Sequence, residues 1–337
     1  MQKKERIEWI DTAKGMCITL VVFNHILLFE GFPSLYPQTF SFFNNFLSSF
    51  RMPLYFFLSG VFFKTYGGGL LFIRKKTNKI LIPFIFWYIS GIVIISLLLG
   101  GDMLLKYITD KYILLDFFFN DCHSTNGPIW FLLCLFEVNL IFCSIQIIFK
   151  KRIYIYIFSI LTGLLGLWLS YYSINLHASL DTALTCLPFF AFGYFINKET
   201  NILRSSCIDK HLIMYAVLCG IICFLLADKV EFYRNIYSNH SYFTLYICGF
   251  LGTIMIILFA KHIGTIPILT YYGRYSIIIL CTHYLLYRGL HVFPFQYIED
   301  GLVKMLCIFT IIMLAELAII PLSKKYLPYV TAQKELL

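Results

Sequence analysis

Charge is scarce in this chain. Only 13% of its 337 residues are Asp, Glu, Lys or Arg, while 59% are apolar. A water-soluble domain carries more charge and fewer long apolar runs, so the composition excludes one. The runs extend over about 18 to 22 residues without alternating, which sets aside an outer-membrane β-barrel. Metal-ligand spacing is missing as well. The eleven cysteines form no Cys-x-x-Cys or zinc pattern, and most lie inside apolar runs, where Cys behaves as a small buried hydrophobe. No linker, low-complexity tract, internal repeat or second soluble domain stands out, and nothing resembles a nucleic-acid module. No small-residue cleavage site follows the basic start MQKKER, so the first span reads as a retained helix.

What is present is the pattern of an all-α polytopic membrane protein, one domain over residues 1–337. About ten transmembrane helices are expected, at 12–30, 41–63, 80–99, 127–149, 153–172, 182–196, 212–227, 242–260, 266–287 and 302–321. With the N-terminus inside, the tail and the even-numbered loops collect most of the Lys and Arg residues, among them Arg74, Lys75, Lys76 and Lys79. This bias places both termini in the cytoplasm, where anionic headgroups attract the net charge of +9.

Ionisable groups inside such spans are costly and mark function by default. The first span, DTAKGMCITLVVFNH, carries Asp11, Lys14 and His25. Eleven residues on a helix bring Lys14 and His25 to within roughly 20° of one another and about 16 Å apart along the axis, and Asp11 falls near the same stripe. The bland alternative is a snorkelling lysine, a capping aspartate and a packed imidazole. The second span, SFFNNFLSSFRMPLYFFLSGVFF, sets Asn44, Ser48 and Arg51 on a polar strip before Met52-Pro53, where a proline kink is expected. Arg51 faces protein or water there, as a substrate contact or in an ion pair with Asp116 or Asp121. Ser59-Gly60 suits close helix packing. In the loop KTYGGGLLFIRKKTNKILIPF, five cations lie beside three glycines. Topology alone explains basic residues on that side, and a phosphate-rich cytoplasmic ligand explains their clustering. In NGPIWFLLCLFEVNL, Trp130 and Glu137 share a helical face, Glu137 as a contact group or as a neutral packed carboxyl. His283, in SIIILCTHYLL, is a second intramembrane histidine able to reach the level of His25.

These segments together resemble the membrane-bound acyltransferase-3 family, integral-membrane O-acyltransferases that modify bacterial surface glycans. DTAKGMCITLVVFNH resembles its opening helix, with a basic residue, ten intervening residues and a histidine. FRMPLYFFLSGVFF resembles its Met-Pro and Ser-Gly signature, KKTNKILIPF its paired basic motif, and GPIWFLLCLF its Trp-Phe-Leu segment. The chain departs from the pattern at Arg51, where relatives often carry His, at Lys76 and Lys79, where arginine is usual, and at Leu135, where one branch has Glu.

The resemblance implies a bacterial plasma-membrane protein that takes an acyl group, most simply acetyl, from cytoplasmic acyl-CoA and passes it to a hydroxyl of a glycan or lipid-linked saccharide across the membrane. It makes the first-helix histidine essential. On that expectation His25, Asp11 and Arg51 are the catalytic candidates. His25 serves as general base, Asp11 holds Lys14, and Arg51 stabilises the oxyanion or orients a sugar. Lys14, Arg74, Lys76 and Lys79 take the phosphates of acetyl-CoA, and Trp130, Glu137 and His283 face the acceptor. No metal is expected, and membrane lipids are the surrounding partner. The alternative from another class is an exporter or flippase of a polysaccharide or lipid-linked sugar through the same polar stripe.

Overall fold

The computed structural model describes residues 7–98, 126–199, 211–290 and 301–337. In chain order they form α1 (Glu8–Phe29), α2 (Phe32–Leu35), α3 (Pro37–Val61), α4 (Gly69–Lys76), α5 (Ile82–Leu98), α6 (Trp130–Ile148), α7 (Arg152–Tyr171), α8 (Leu180–Glu199), α9 (His211–Leu226), α10 (Ser241–Ile263), α11 (Pro267–Arg274), α12 (Ser276–Leu290) and α13 (Leu302–Tyr326). Among the described residues six helical stretches are long and apolar enough to cross a membrane, and α9 and α12 are shorter apolar helices. The chain is an all-α multi-pass membrane protein. The two long helices outside that set of six, α3 and α8, carry Asn44, Ser48 and Arg51, and Asp181, Thr182 and Thr185. Arg51, Asp181, Thr182 and Thr185 are buried between helices, and the half-buried Asn44 and Ser48 line a cavity.

Three features depart from the sequence reading. The basic segment expected to be a loop before the third span is largely helical: α4 begins at Gly69 and passes through a π-helical turn, Thr77–Leu81, into α5. The ninth span is broken. Tyr275, at φ −115° and ψ 24°, separates α11 from α12. The loop after α9 holds a short antiparallel hairpin, β1 (Val230–Glu231) with β2 (Ile236–Tyr237), turned by a 3-10 segment and by Asn235 at φ 52°. Side-chain bonds to the hairpin's own Tyr237 and to α7 and α8 fix the last of these. The Asn235 amide donates to the Gly166 carbonyl (3.1 Å) and accepts from the Thr185 and Tyr237 hydroxyls (2.9 Å each), fixing a left-handed turn that Asn tolerates. At Pro53, α3 continues without a break in helix assignment.

Two pairs of glycines set the closest helix contacts. A Cβ on Gly273 would lie 1.7 Å from the Asp11 carbonyl oxygen, and one on Gly15 would lie 1.9 Å from that of Leu269, so α1 and α11 touch backbone to backbone. Gly60 and Gly193 do the same for α3 and α8, at 1.9 Å from the Phe190 oxygen and 2.0 Å from the Phe57 oxygen. The α1 contacts run in parallel register: Thr12 bonds Thr270 (2.9 Å), His25 bonds His283 (3.0 Å), and Tyr287 donates to Glu30 (2.8 Å). The first helix and the broken ninth therefore cross the bundle in the same direction.

The C-terminal tail returns to the end of the bundle where α1 begins. Lys324 donates to the Tyr275 hydroxyl (2.7 Å), Trp87 Nε1 donates to the Val330 carbonyl (3.1 Å), and Asn78 accepts from the amides of Leu336 and Leu337 (2.6 and 2.8 Å). Lys75 is ion-paired with Glu335, which holds that carboxyl below its ordinary range.

Alanine at Gly273 should force α1 and α11 apart at an overpacking cost of about 1–3 kcal/mol. Gly289→Ala, where nothing lies within 4 Å of the added carbon, should leave stability unchanged or slightly raise it. Thermal melts of the two variants in detergent separate these outcomes; equal midpoints would contradict the packing account.

Candidate functional site

Two cavities open along α1, one at each end of the Lys14–His25 stripe. The larger, of about 390 Å³, is lined by His25 and Asn24 from α1, Asn44, Asn45 and Arg51 from α3, and Trp130 from α6. Residues Lys229 to Tyr233 of the hairpin segment close one wall. The smaller, of about 140 Å³, is lined by Lys14, Tyr55, Ser59 and Ser276 among others. Met52, Phe131 and Leu280 line both, so three apolar side chains form the partition between them.

At the larger cavity the two histidines stack with ring centroids 5.2 Å apart and planes 4° from parallel. Their hydrogen bonds fix a direction. A carbonyl oxygen can only accept, so His283 Nδ1–H donates to the Ile279 carbonyl (2.6 Å). With both rings neutral, His283 Nε2 is then an acceptor, and His25 Nδ1–H donates to it (3.0 Å). His25 Nε2 is left as the nitrogen with the lone pair. A proton taken there creates an imidazolium whose charge the His283 bond stabilises.

Arg51 is buried, at 7% exposure, and is held by neutral acceptors. Its Nε donates to the Leu47 carbonyl (3.1 Å), Nη1 to the Leu20 carbonyl (3.3 Å) and Nη2 to Asn44 Oδ1 (3.4 Å). With the Asn24 amide turned so that both its ends are satisfied, its oxygen accepts from Nη1 and Nη2 (3.2 and 3.3 Å) and its nitrogen donates to Asn44 (2.9 Å). The pairing of Arg51 with Asp116 or Asp121 falls outside the described residues, as does most of the loop that contains them.

The hairpin wall is anchored to α3. Asp228 accepts from the Ser238 hydroxyl (2.7 Å), the Lys229 amide (2.7 Å) and the Asn45 side chain (3.4 Å). The Ser238 and Lys229 bonds hold the Asp228 carboxyl below its ordinary range, so it stays ionised in this role. Above the cavity, Glu30 bridges Tyr287 (2.8 Å) and Lys304 (3.1 Å), tying the ends of α1, α12 and α13.

Toward the other end of α1 lie further cations. Lys14 Nζ lies 5.0 Å from the Phe62 ring centroid, and Lys76 Nζ lies 5.6 Å from that of the adjacent Phe63 and 5.5 Å from that of Phe72. Arg74 is in the last turn of α4 and Lys79 in the π-helical turn. Asn78 reaches both this segment and the tail, donating to the Arg74 carbonyl (3.0 Å) and to that of Leu337 (3.1 Å).

The candidates thus divide. His25, Arg51 and Trp130 share one cavity, with His283 bonded to His25 behind it; Lys14 lines the smaller cavity, and Lys76 lies over Phe63, the chain neighbour of the ring beneath Lys14. Asp11 pairs with Arg274 (3.8 Å) at the start of α1, fourteen residues or about 21 Å of helix from His25. Glu137 does not line the cavity. It turns toward the Ser179 backbone and Asp181 instead. Sequence reasoning missed Asn24, the Glu30–Lys304 pair, the hairpin wall and Glu316, which is fully buried and accepts from Thr282 (2.6 Å). Asn24 was open to discovery as the neighbour of His25. The other contacts join residues too far apart in the chain to leave a local signal.

Comparison with known proteins gives one match. A family model described as an acyltransferase domain, that of the acyltransferase-3 family, covers residues 7–321, from the threshold of α1 into α13. No curated protein and no solved structure matches the chain. With the family model spanning nearly every helix around the two cavities, the chain belongs to the acyltransferase-3 family of membrane proteins, whose chemistry is acyl transfer.

Proposed function

We propose that this protein transfers an acetyl group from cytoplasmic acetyl-CoA to a hydroxyl of a glycan or lipid-linked saccharide on the opposite side of a bacterial plasma membrane. Ten spans with both termini cytoplasmic fit this task, as do the positive-inside bias and the shared location of α1's start and the C-terminal tail. The observation that carries the reading is the directed pair His25–His283, which presents a basic nitrogen of His25 beside a cavity of ligand size.

Each end of α1 has its own part. Lys14, Arg74, Lys76 and Lys79 hold the donor's phosphates at the mouth, and the smaller cavity admits the pantetheine arm. Its thioester meets the acceptor at the larger cavity. There His25 Nε2 takes the proton from the acceptor hydroxyl as that oxygen bonds to the acyl carbon, and the carbon–sulfur bond then breaks to release coenzyme A as its thiol. The proton held on His25 is the one the departing thiolate needs. His283 keeps His25 in the right tautomer and stabilises its charge, so it is a positioning residue. Trp130 supplies a flat apolar face for a sugar ring.

Replacing His25 with Ala should lower acetyl transfer by at least about 100-fold with protein level unchanged. His283→Gln, whose amide oxygen can accept from His25, should retain more activity than His283→Leu; equal losses in the two would remove the positioning role. Titration calorimetry with acetyl-CoA tests the donor end separately. Saturable binding that weakens at least about tenfold in Lys76→Ala/Lys79→Ala is expected from the loss of two charged phosphate contacts. Absence of binding to folded protein, together with glycan retained inside cells that lack the protein, would favour export instead.

A further inference from the structure

The charge in the larger cavity does not balance. Its lining holds three charged residues, Arg51, Lys229 and Glu231. The last two form a pair at the rim, with Lys229 Nζ 3.0 Å from Glu231 Oε1. That leaves Arg51, the most deeply buried of the three. Its partners are two backbone carbonyls and the side-chain oxygens of Asn24 and Asn44, all of them neutral. Among the described residues no carboxylate lies within ion-pair distance of it; Glu30 at the end of α1 pairs with Lys304, Glu231 pairs with Lys229, and Asp228 beside the hairpin is held by Ser238, the Lys229 amide and Asn45. A guanidinium keeps its charge in a protein, and a buried charge with no counter-charge is costly.

The remaining lining describes what else the occupant presents. Trp130, Phe40 and Tyr233 offer ring faces, and Asn45, Ser41 and Ser48 offer donors and acceptors on the same wall. Flat apolar faces beside amides and hydroxyls suit a sugar ring, and one unmatched positive charge suits one negative charge on it. The volume of about 390 Å³ holds a ligand of one or two sugar units.

From this we infer that the acceptor is an acidic saccharide, a sugar bearing a carboxylate that pairs with Arg51. The inference rests on the acyl-transfer reading for what happens to that sugar, but not for its binding. Arg51 sets specificity: a neutral sugar of the same shape leaves the buried charge unmatched. The oxyanion formed during acyl transfer is a second possible partner, and it makes a different prediction, since it exists only during turnover and cannot bias the binding of the ground-state acceptor.

The test uses the full chain in phosphatidylcholine nanodiscs and measures binding of methyl glycosides of glucuronic, galacturonic and N-acetylneuraminic acids against their carboxyl-reduced counterparts. At least one acid should bind about tenfold or more tightly than its neutral partner, the scale of a charge-assisted contact. Arg51→Gln should abolish that preference, while Arg51→Lys, which keeps the charge, should preserve part of it. Equal binding of every acid and its neutral counterpart by the wild type overturns the inference, as does a preference that survives in Arg51→Gln. Phosphatidylglycerol nanodiscs provide a further arm. If that lipid removes the preference, the anion recognised is a headgroup phosphate and the acidic-sugar assignment is wrong. Acetyl-CoA binding and acetyl transfer, read on the same samples, fail independently: acid preference without either retains the anion site and discards the transferase.

Discussion

Backbone contact between α1 and α11 at Gly15 and Gly273 is the constraint on which the site depends. Neither residue has a side chain to hold the helices apart, and the space on each is filled by a carbonyl of the other helix. Once α1 and α11 are locked in parallel, the register of everything above them follows. Thr12 meets Thr270, and the continuation of both helices brings His25 to His283 and Glu30 to Tyr287. The break at Tyr275 lies within this register. It lets α12 leave the line of α11, and it places Ser276 and Ile277 against the Lys14 cavity. A directed histidine pair at one end and a cationic mouth at the other are consequences of one close packing contact.

The interior of this bundle is unusually polar for a membrane protein, and its polar groups are held in different ways. Glu30 and Lys304 cancel one another's charge, with a tyrosine hydroxyl on the same carboxylate. Thr282 and Glu316 share a hydrogen bond deep between α12 and α13. Of the two buried cations among the described residues, Lys304 is paired with Glu30, whereas Arg51 is surrounded by neutral acceptors that satisfy its N–H groups without cancelling its charge. Hydrogen-bond satisfaction and charge compensation are separate requirements, and among the described residues the first is met at Arg51 without the second. That separation is what distinguishes a structural cation from one held ready for an anion.

How much of this was legible in the sequence depends on the range of each interaction. The Lys14–His25 stripe follows from helix geometry and lies where expected, with each residue at its own cavity. The family motifs likewise carried the acyltransferase assignment. His283 was recognisable as an intramembrane histidine, but its bond to His25 joins residues 258 positions apart and no local pattern encodes it. Asp11 shares the face of Lys14, and packing against α11 also brings Arg274 to it, a contact no local pattern encodes. Glu137 shares a face with Trp130 but turns to a different neighbour, because a helical face is wider than a cavity. The segment Gly69–Lys76 suggests a loop by its glycines and charges. Its run of Leu, Phe and Ile is instead compatible with a helix that buries Phe72 and exposes Leu70.

On the proposed reading, in which an acyl group passes through the membrane, ions must be kept from following it, and the partition between the cavities bears on how both can hold. Met52, Phe131 and Leu280 are apolar and, among the described residues, are the ones that line both the Lys14 cavity and the His25 cavity. A hydrated ion crossing this partition would lose its shell with no polar group to replace it. The pantetheine arm is mainly a slender chain of methylenes and amides, and Met is the side chain best able to move aside for it, being unbranched and flexible. Met52 precedes Pro53 and follows Arg51 on α3, so the flexible residue of the partition is the chain neighbour of the buried guanidinium. On the acyl-transfer reading, donor and acceptor are sensed one residue apart on a single helix, and the seal opens only to a chain thin enough to carry the thioester through.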